Sequence, residues 1–281
     1  MKALVHAAVA GSLFVAAGPA AAAKAPVPLA WVGPWQLDYA KDACLLGRRF
    51  VEGKREVILG WRALPLEESV ELIVTRPTGD DRFRTGEATV TLASGASETT
   101  SFEGFPTSKA GFYTTRMRLP MDLFVKAQAE DVLTITARTV RPMSFRLSGF
   151  PKAMAAFATC NDDTLKTWGV DPGERQRIAT DAEAVDDRRH WITSNDYPMG
   201  LVRMGQQGTT VILFRIGTDG RIDECRAVVT SGAKELDEAA CNALTKRGRY
   251  TPARDAAGQP MAVHRVRRVV WRLPGVWNAG S

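Results

Sequence analysis

Histidine is nearly missing from this chain. Only His6, His190 and His264 occur in 281 residues. His6 falls in an N-terminal apolar stretch, and neither of the others stands beside a serine or cysteine in a nucleophile context. Imidazole is the commonest general base, so its scarcity weighs against acyl-transfer chemistry. Nucleophile elbow, phosphate-binding loop and zinc-helix motifs are also absent. No Cys-x-x-Cys spacing occurs, and the histidines have no ligand spacing to the cysteines, so no metal site is expected. The acidic pairs Asp162-Asp163 and Asp186-Asp187 read as solvated helix faces or caps. The arginines are scattered, with no stacking-aromatic motif beside them, which argues against nucleic acid. The expectation is a non-enzymatic protein with no cofactor. Internal repeats and long low-complexity tracts are missing too.

What is present begins with a leader. Residues 1–26 read MKALVHAAVAGSLFVAAGPAAAAKAP: Lys2, an apolar stretch, then a run of small residues before Lys24. This is the pattern of a secretory signal, with cleavage expected after Ala23. The rival reading is an uncleaved inner-membrane anchor through residues 3–18. Pro19 limits such a helix, and a span needs ~20 apolar residues. No later run approaches that length, so no membrane span is expected after cleavage. Export places the protein in the periplasm.

Charge divides the chain. Residues 190–281 hold 13 Lys/Arg against 8 Asp/Glu, a balance of +5, while residues 24–189 hold 23 of each. A basic module on a neutral one suits acidic partners or simply a soluble surface. The domains expected are 24–172, a linker over 173–189, and 190–281. The linker is charged and Ala-rich, with room for a short helix over 174–184. Residues 31–150 look β-rich. Residues 57–59, 70–74, 88–92, 111–115 and 132–136 are plausible strands, with turn clusters at 77–80 and 94–96. Short strands at this spacing suggest a sandwich or open barrel. The period changes at Pro151. Met154, Phe157, Leu165 and Trp168 then fit one helical face. Trp31, Trp35, Trp61, Trp168, Trp191, Trp271 and Trp277 read as packing residues.

The last third is the most informative. Residues 211–216 form a β-branched and aromatic run, and Gly217-Thr218-Asp219-Gly220 is a hairpin signal before a second strand over 221–230. Leu236, Ala240, Ala243 and Leu244 give Lys234–Arg247 one apolar helical face. Lys246 and Arg247 suit its C-terminal end, and Gly248 can stop it. A final strand carries Val269, Trp271 and Leu273 on one parity and Val266, Arg268, Val270 and Arg272 on the other. His264 is expected as a surface residue of that strand. Four cysteines allow three connectivities, or free core thiols. Cys225 on the second strand and Cys241 on the helix are placed to pair. Cys44 and Cys160 remain, one near each end of the first domain.

These joints resemble the C-terminal domain of the TonB family. The resemblance spans residues 191–274. It rests on Tyr197-Pro198, Gly205 and Gly208, Asp219-Gly220-Arg221, Ser231-Gly232, Leu236-Asp237-Glu238-Ala239-Ala240, residues 249–254 and Gly258-Gln259-Pro260. Two positions depart from the pattern. Asp196 stands where glutamine often precedes Tyr-Pro, and Gly248 where an aromatic residue often precedes Arg-Tyr. The long Pro-rich spacer of true TonB proteins is absent. The fold class implied is α+β: a β-rich, sandwich-like domain with a closing helix, then a three-stranded antiparallel sheet with a packed helix.

The resemblance also implies a role. In TonB proteins the last strand is a docking edge to which an extended segment of an outer-membrane receptor adds. That edge falls at residues 262–272 here. Val266, Arg268, Val270 and Arg272 are then the partner-binding residues, with Tyr197 and Pro198 near the receptor surface. The expected partner is a TonB-dependent outer-membrane receptor; the alternative is another envelope protein bound by the same fold. More faintly, residues 35–44 and 145–150 resemble the family of invasion-associated locus B, which implies no catalytic residues.

Overall fold

The computed structural model describes residues 26–40, 43–78, 82–109, 111–138 and 140–273. The expected leader and Trp277 lie outside them. Among the described residues no helix is long and apolar enough to cross a membrane.

The first unit is one antiparallel sheet. Its strands are β1 (Ala30–Tyr39), β2 (Cys44–Glu52), β3 (Arg55–Ala63), β4 (Ser69–Pro77), β5 (Arg84–Leu92), β6 (Ser97–Pro106), β7 (Phe112–Pro120), β8 (Val132–Ala137) and β9 (Val140–Arg146). They lie in the order β1-β2-β3-β4-β7-β6-β5-β8-β9. The end strands approach each other: Leu29 bridges Phe145, and its N–H donates to the Ser144 carbonyl at 2.8 Å. The sheet therefore curls until its ends meet, a single closed layer where a sandwich or an open barrel was expected. Alternation explains the inward set. Val70, Leu72 and Val74 of β4 are buried, as are Ala88, Val90 and Leu92 of β5.

Two helices finish this unit, α1 (Met121–Lys126) and α2 (Phe150–Thr167). Gly149 precedes α2 with φ +74°, a conformation that glycine adopts without strain. Phe150 then enters an aromatic cluster, 5.0 Å from Trp35, 6.0 Å from Trp61 and 5.8 Å from Phe124, ring centre to ring centre. Further along α2, Cys160 is bonded to Cys44 on β2.

The second unit opens with the segment expected to be a linker. It is not a free tether. Residues Pro172–Arg177 form a 3-10 helix rather than the start of an α-helix. The short strand β10 (Glu183–Ala184) pairs with residues 250–251 much further along the chain. After it come α3 (Met199–Arg203), β11 (Gly208–Ile216), β12 (Ile222–Val229) and α4 (Lys234–Arg247). Short pieces β13 (Tyr250–Thr251), β14 (Ala253–Arg254) and β15 (Pro260–Met261) lead to β16 (Val263–Trp271). The sheet order is β12-β11-β16, antiparallel throughout. Ile212, Phe214 and Ile216 turn toward α4, where Leu236, Ala240 and Leu244 meet them in one core. Cys225 on β12 is bonded to Cys241 on α4.

The opposite face of that sheet meets the first unit. Val211 and Leu213 pack with Ala43, Leu64, Leu165, Trp168 and Val170. Helix α2 thus serves two cores: Phe150, Met154, Phe157 and Cys160 line the first, while Leu165 and the following Trp168 line the contact between units.

Candidate docking edge

Among the described residues strand β16 has a strand neighbour on one side only, so its geometry decides what its other side offers. The pairing with β11 runs without a register break from Ile216↔Val263 to Gly208↔Trp271. In an antiparallel pair, residues alternate between turning their main-chain groups toward the partner and away from it. The His264 N–H points outward, because it donates to a carboxylate oxygen of Glu174 at 2.6 Å. Val266, Arg268 and Val270 share its parity and so turn outward as well. These are three of the four strand residues expected at the partner surface. The fourth, Arg272, is exposed and lies just past the end of β16.

Side chains on this parity leave the sheet on the face toward the first unit. Val266 is half-buried there against the interface cluster. Arg268 lies in a small crevice with Glu67 and Arg118. Burial in this crevice pushes the Glu67 carboxyl above its ordinary value, although Arg118 and Arg268 pull the other way. Only toward its end does the strand emerge: Val270 is 47% exposed. The edge therefore has a covered half, from His264 to about Arg268, and an open half at Val270.

The covered half is held by residues of the 173–190 segment. Glu174 is 7% exposed and grips His264 twice, through the main-chain N–H and through Nδ1, each at 2.6 Å. Burial raises the Glu174 carboxyl, but its bonds to His264 and the nearby Arg265 charge outweigh this, and the net pKa is lowered. His264 was expected to be a surface residue. It is half-buried, because this carboxylate draws it in. The outward carbonyl of His264 is also occupied, by Nη1 of Arg265 at 2.7 Å. Arg265 in turn is 4% exposed and its guanidinium is bonded to Asp181. Further along, Arg267 donates to the Arg188 carbonyl at 2.9 Å, and Arg188 reaches Glu68 of the first unit at 2.9 Å. Sequence reasoning missed Glu174, Asp181 and Arg188, because caps made by side chains leave no periodicity to read.

Tyr197 and Pro198 stand elsewhere. Tyr197 is 9% exposed, stacks edge-on against Trp271 at 5.2 Å, and its hydroxyl donates to the Gln206 carbonyl. Pro198 starts α3 as its N-cap. The pair fixes the entry to β11, and the Tyr197 side chain is buried rather than presented outward. Asp196 has an internal role as well. It accepts from the Thr193 N–H at 2.8 Å and pairs with Arg247 at the end of α4. Gly248 also has a local reason. A Cβ there would lie 2.5 Å from the Ile222 side chain and 2.8 Å from the Leu244 carbonyl. Asp237 explains part of its motif. It accepts from Thr210 Oγ1 at 2.7 Å, Thr230 Oγ1 at 2.6 Å and the Ser231 N–H at 2.9 Å, fastening α4 to both neighbouring strands.

A cleft of about 440 Å³ opens where Trp168 and Val170 face β11 and β12. Its charged lining pairs internally: Arg215 meets Asp223 at 2.9 Å and Glu224 at 3.1 Å. Among the described residues no group of three ligand-type side chains is placed to hold a metal ion.

The solution NMR structure of the Pseudomonas aeruginosa TonB CTD is similar at 21% identity, covering 34% of this chain and 91% of that one, with a TM-score of 0.28. No curated protein matches the chain. Residues 193–273 match the family model described as Gram-negative bacterial TonB protein C-terminal, and this stretch of the chain is a domain of that type.

Proposed function

We propose that this is a non-enzymatic periplasmic protein that binds a TonB-dependent outer-membrane receptor by strand addition at β16, in transmembrane transport. The observation that carries the reading is the position of β16. It is the last strand of its sheet, it pairs with β11 on one side only, and Val270 on its outward parity is exposed. An extended segment laid there would gain main-chain hydrogen bonds, with Arg272 available to an acidic partner. One observation favours the alternative of an envelope interaction module without a transport role. The sheet face opposite α4 is covered by the first unit, so less of the module is available to a receptor.

The test uses Val270, because its N–H points away from β11. Proline there removes an outward donor without breaking the internal ladder. Crosslinked pull-down from intact periplasm should recover outer-membrane receptors with the wild-type chain. Val270→Pro should cut recovery about tenfold, the equivalent of one or two lost interface hydrogen bonds. Val270→Ala should weaken it only slightly. Circular dichroism confirms that each variant is folded. Undiminished recovery by folded Val270→Pro protein would exclude strand addition at this edge, and recovery of soluble proteins alone would favour the alternative.

A further inference from the structure

The 173–190 segment touches β16 at His264, Arg265 and Arg267, in a way that packing alone does not require. Glu174 takes the outward N–H of His264, and Arg265, pinned by Asp181, takes the outward carbonyl. These are the two groups that an added strand needs at that residue. Arg188 continues the line at Arg267 and ties the segment to Glu68. Every one of these links is made by a side chain at the edge, with no strand-to-strand ladder, although the same segment forms a short ladder with β13 nearby.

We infer that residues 173–190 are a displaceable strap over the docking edge. It masks the first half of β16 and limits partner addition to the Val270 end until it lifts. This rests on the strand-addition reading above. Side-chain caps suit such a role. They satisfy the main-chain N–H and carbonyl of His264 in the closed state, as an exposed edge requires. Yet an incoming strand replaces each cap with an equivalent hydrogen bond, so exchange costs little net free energy. The strap also connects the two units, so movement of the first unit against Arg188 would reach the edge.

The experiment compares the full chain with Glu174→Ala/Asp181→Ala, which removes the cap on the His264 N–H and the pin that holds Arg265 over the His264 carbonyl, without altering β16 or β11. Hydrogen exchange is read first. The outward His264 amide should exchange about tenfold faster in the variant, with the inward Arg265 and Arg267 amides and the β11 amides unchanged, as for a local opening. Unchanged exchange at His264 would overturn the strap and leave the docking reading intact. Faster exchange across β11 as well would mean general unfolding, and would overturn the strap as a local device. Both proteins are then used to capture detergent-solubilised outer-membrane fraction. With the strap removed, recovery of receptor should rise several-fold. A local rise in exchange with equal recovery would show a structural shield that gates nothing. A local rise with no outer-membrane protein recovered by either form would sink the docking reading, and the gating role with it.

Discussion

The two sheets of this molecule end differently. In the first unit the outermost strands close on one another. Leu29 bridges Phe145, and Arg48 fastens the seam: it donates to the Gly33 carbonyl at 3.1 Å and the Ser148 carbonyl at 2.5 Å, with Trp31 and Trp35 against its guanidinium. Trp35 joins the same carbonyl through its indole N–H at 3.1 Å. Such a seam is part of the fold and opens only when the unit does. In the second unit, β12 is tied to α4 by a disulfide, while β16 is covered by side chains from a neighbouring segment. One solution removes an edge, and the other covers it. An edge that is only covered is the kind to which the proposed partner strand would add, and it lies in the unit that matches the TonB C-terminal family model.

The comparison is broken most severely by separating the units. We propose that the domain boundary lies before the strap, so a fragment lacking residues 24–172 keeps the α4 core and its disulfide. It loses the cover over Val211 and Leu213, which are 0% and 4% exposed in the full chain. At about 1.5–3 kcal/mol for each buried aliphatic side chain, the fragment should be less stable than the same unit in the full chain by roughly 3–6 kcal/mol. Urea unfolding should still show one cooperative transition at a lower midpoint. A fragment with no transition would mean that the units share one indivisible core.

The disulfides sharpen the contrast next. Cys44–Cys160 closes a sequence separation of 116 residues and Cys225–Cys241 one of 16. Loop-closure entropy predicts that the longer bridge contributes about 5 kcal/mol and the shorter about 3 kcal/mol. Paired Cys→Ser variants, compared by denaturant unfolding, should keep that order. A reversed order would show that the smaller unit depends on its bridge for native contacts, beyond restriction of the unfolded chain.

Much of this was legible in the sequence where side chains carry a period. The strands at 57–59, 70–74, 88–92 and 132–136 fall within β3, β4, β5 and β8, and that at 111–115 overlaps β7 from Phe112 on, because apolar residues there face one core. Helix α4 was readable to its ends. Strand β6 was missed because it opens on five polar residues and Phe102 is its one buried large side chain. In β2 the pair Arg48-Arg49 interrupts the pattern, yet Arg48 is 7% exposed as part of the seam. The strap was read as a linker for a related reason. Its role lies in Glu174 meeting the His264 N–H, Asp181 the Arg265 guanidinium and the Arg188 carbonyl the Arg267 side chain, and charged residues in an Ala-rich run look solvated when their partners are about 80–90 residues away. At the site, the parity of Val266, Arg268 and Val270 was correctly placed, while the burial of Tyr197 was not visible from its motif.

The smallest expected effect separates the two glutamates beside β16. Glu174 has a lowered folded-state pKa, so the stability it contributes is fully present above the ordinary carboxyl value and is lost as pH falls through its lowered one. Glu67 is shifted the opposite way, first by burial. Its charged form is disfavoured in the folded chain, so it costs stability at neutral pH, and that cost disappears as pH falls below the ordinary value. Glu67→Gln keeps the shape and removes the charge. At pH 7 it should raise the melting temperature slightly, by about 1–2 °C for a chain of this size. The difference from wild type should vanish in mild acid, where wild-type Glu67 is itself protonated. Glu174→Gln should do the reverse, lowering the melting temperature at pH 7 and converging with wild type in acid. If Glu67→Gln destabilises at pH 7, then attraction to Arg118 and Arg268 outweighs burial, and the crevice beside Arg268 is an electrostatic clasp between the two units.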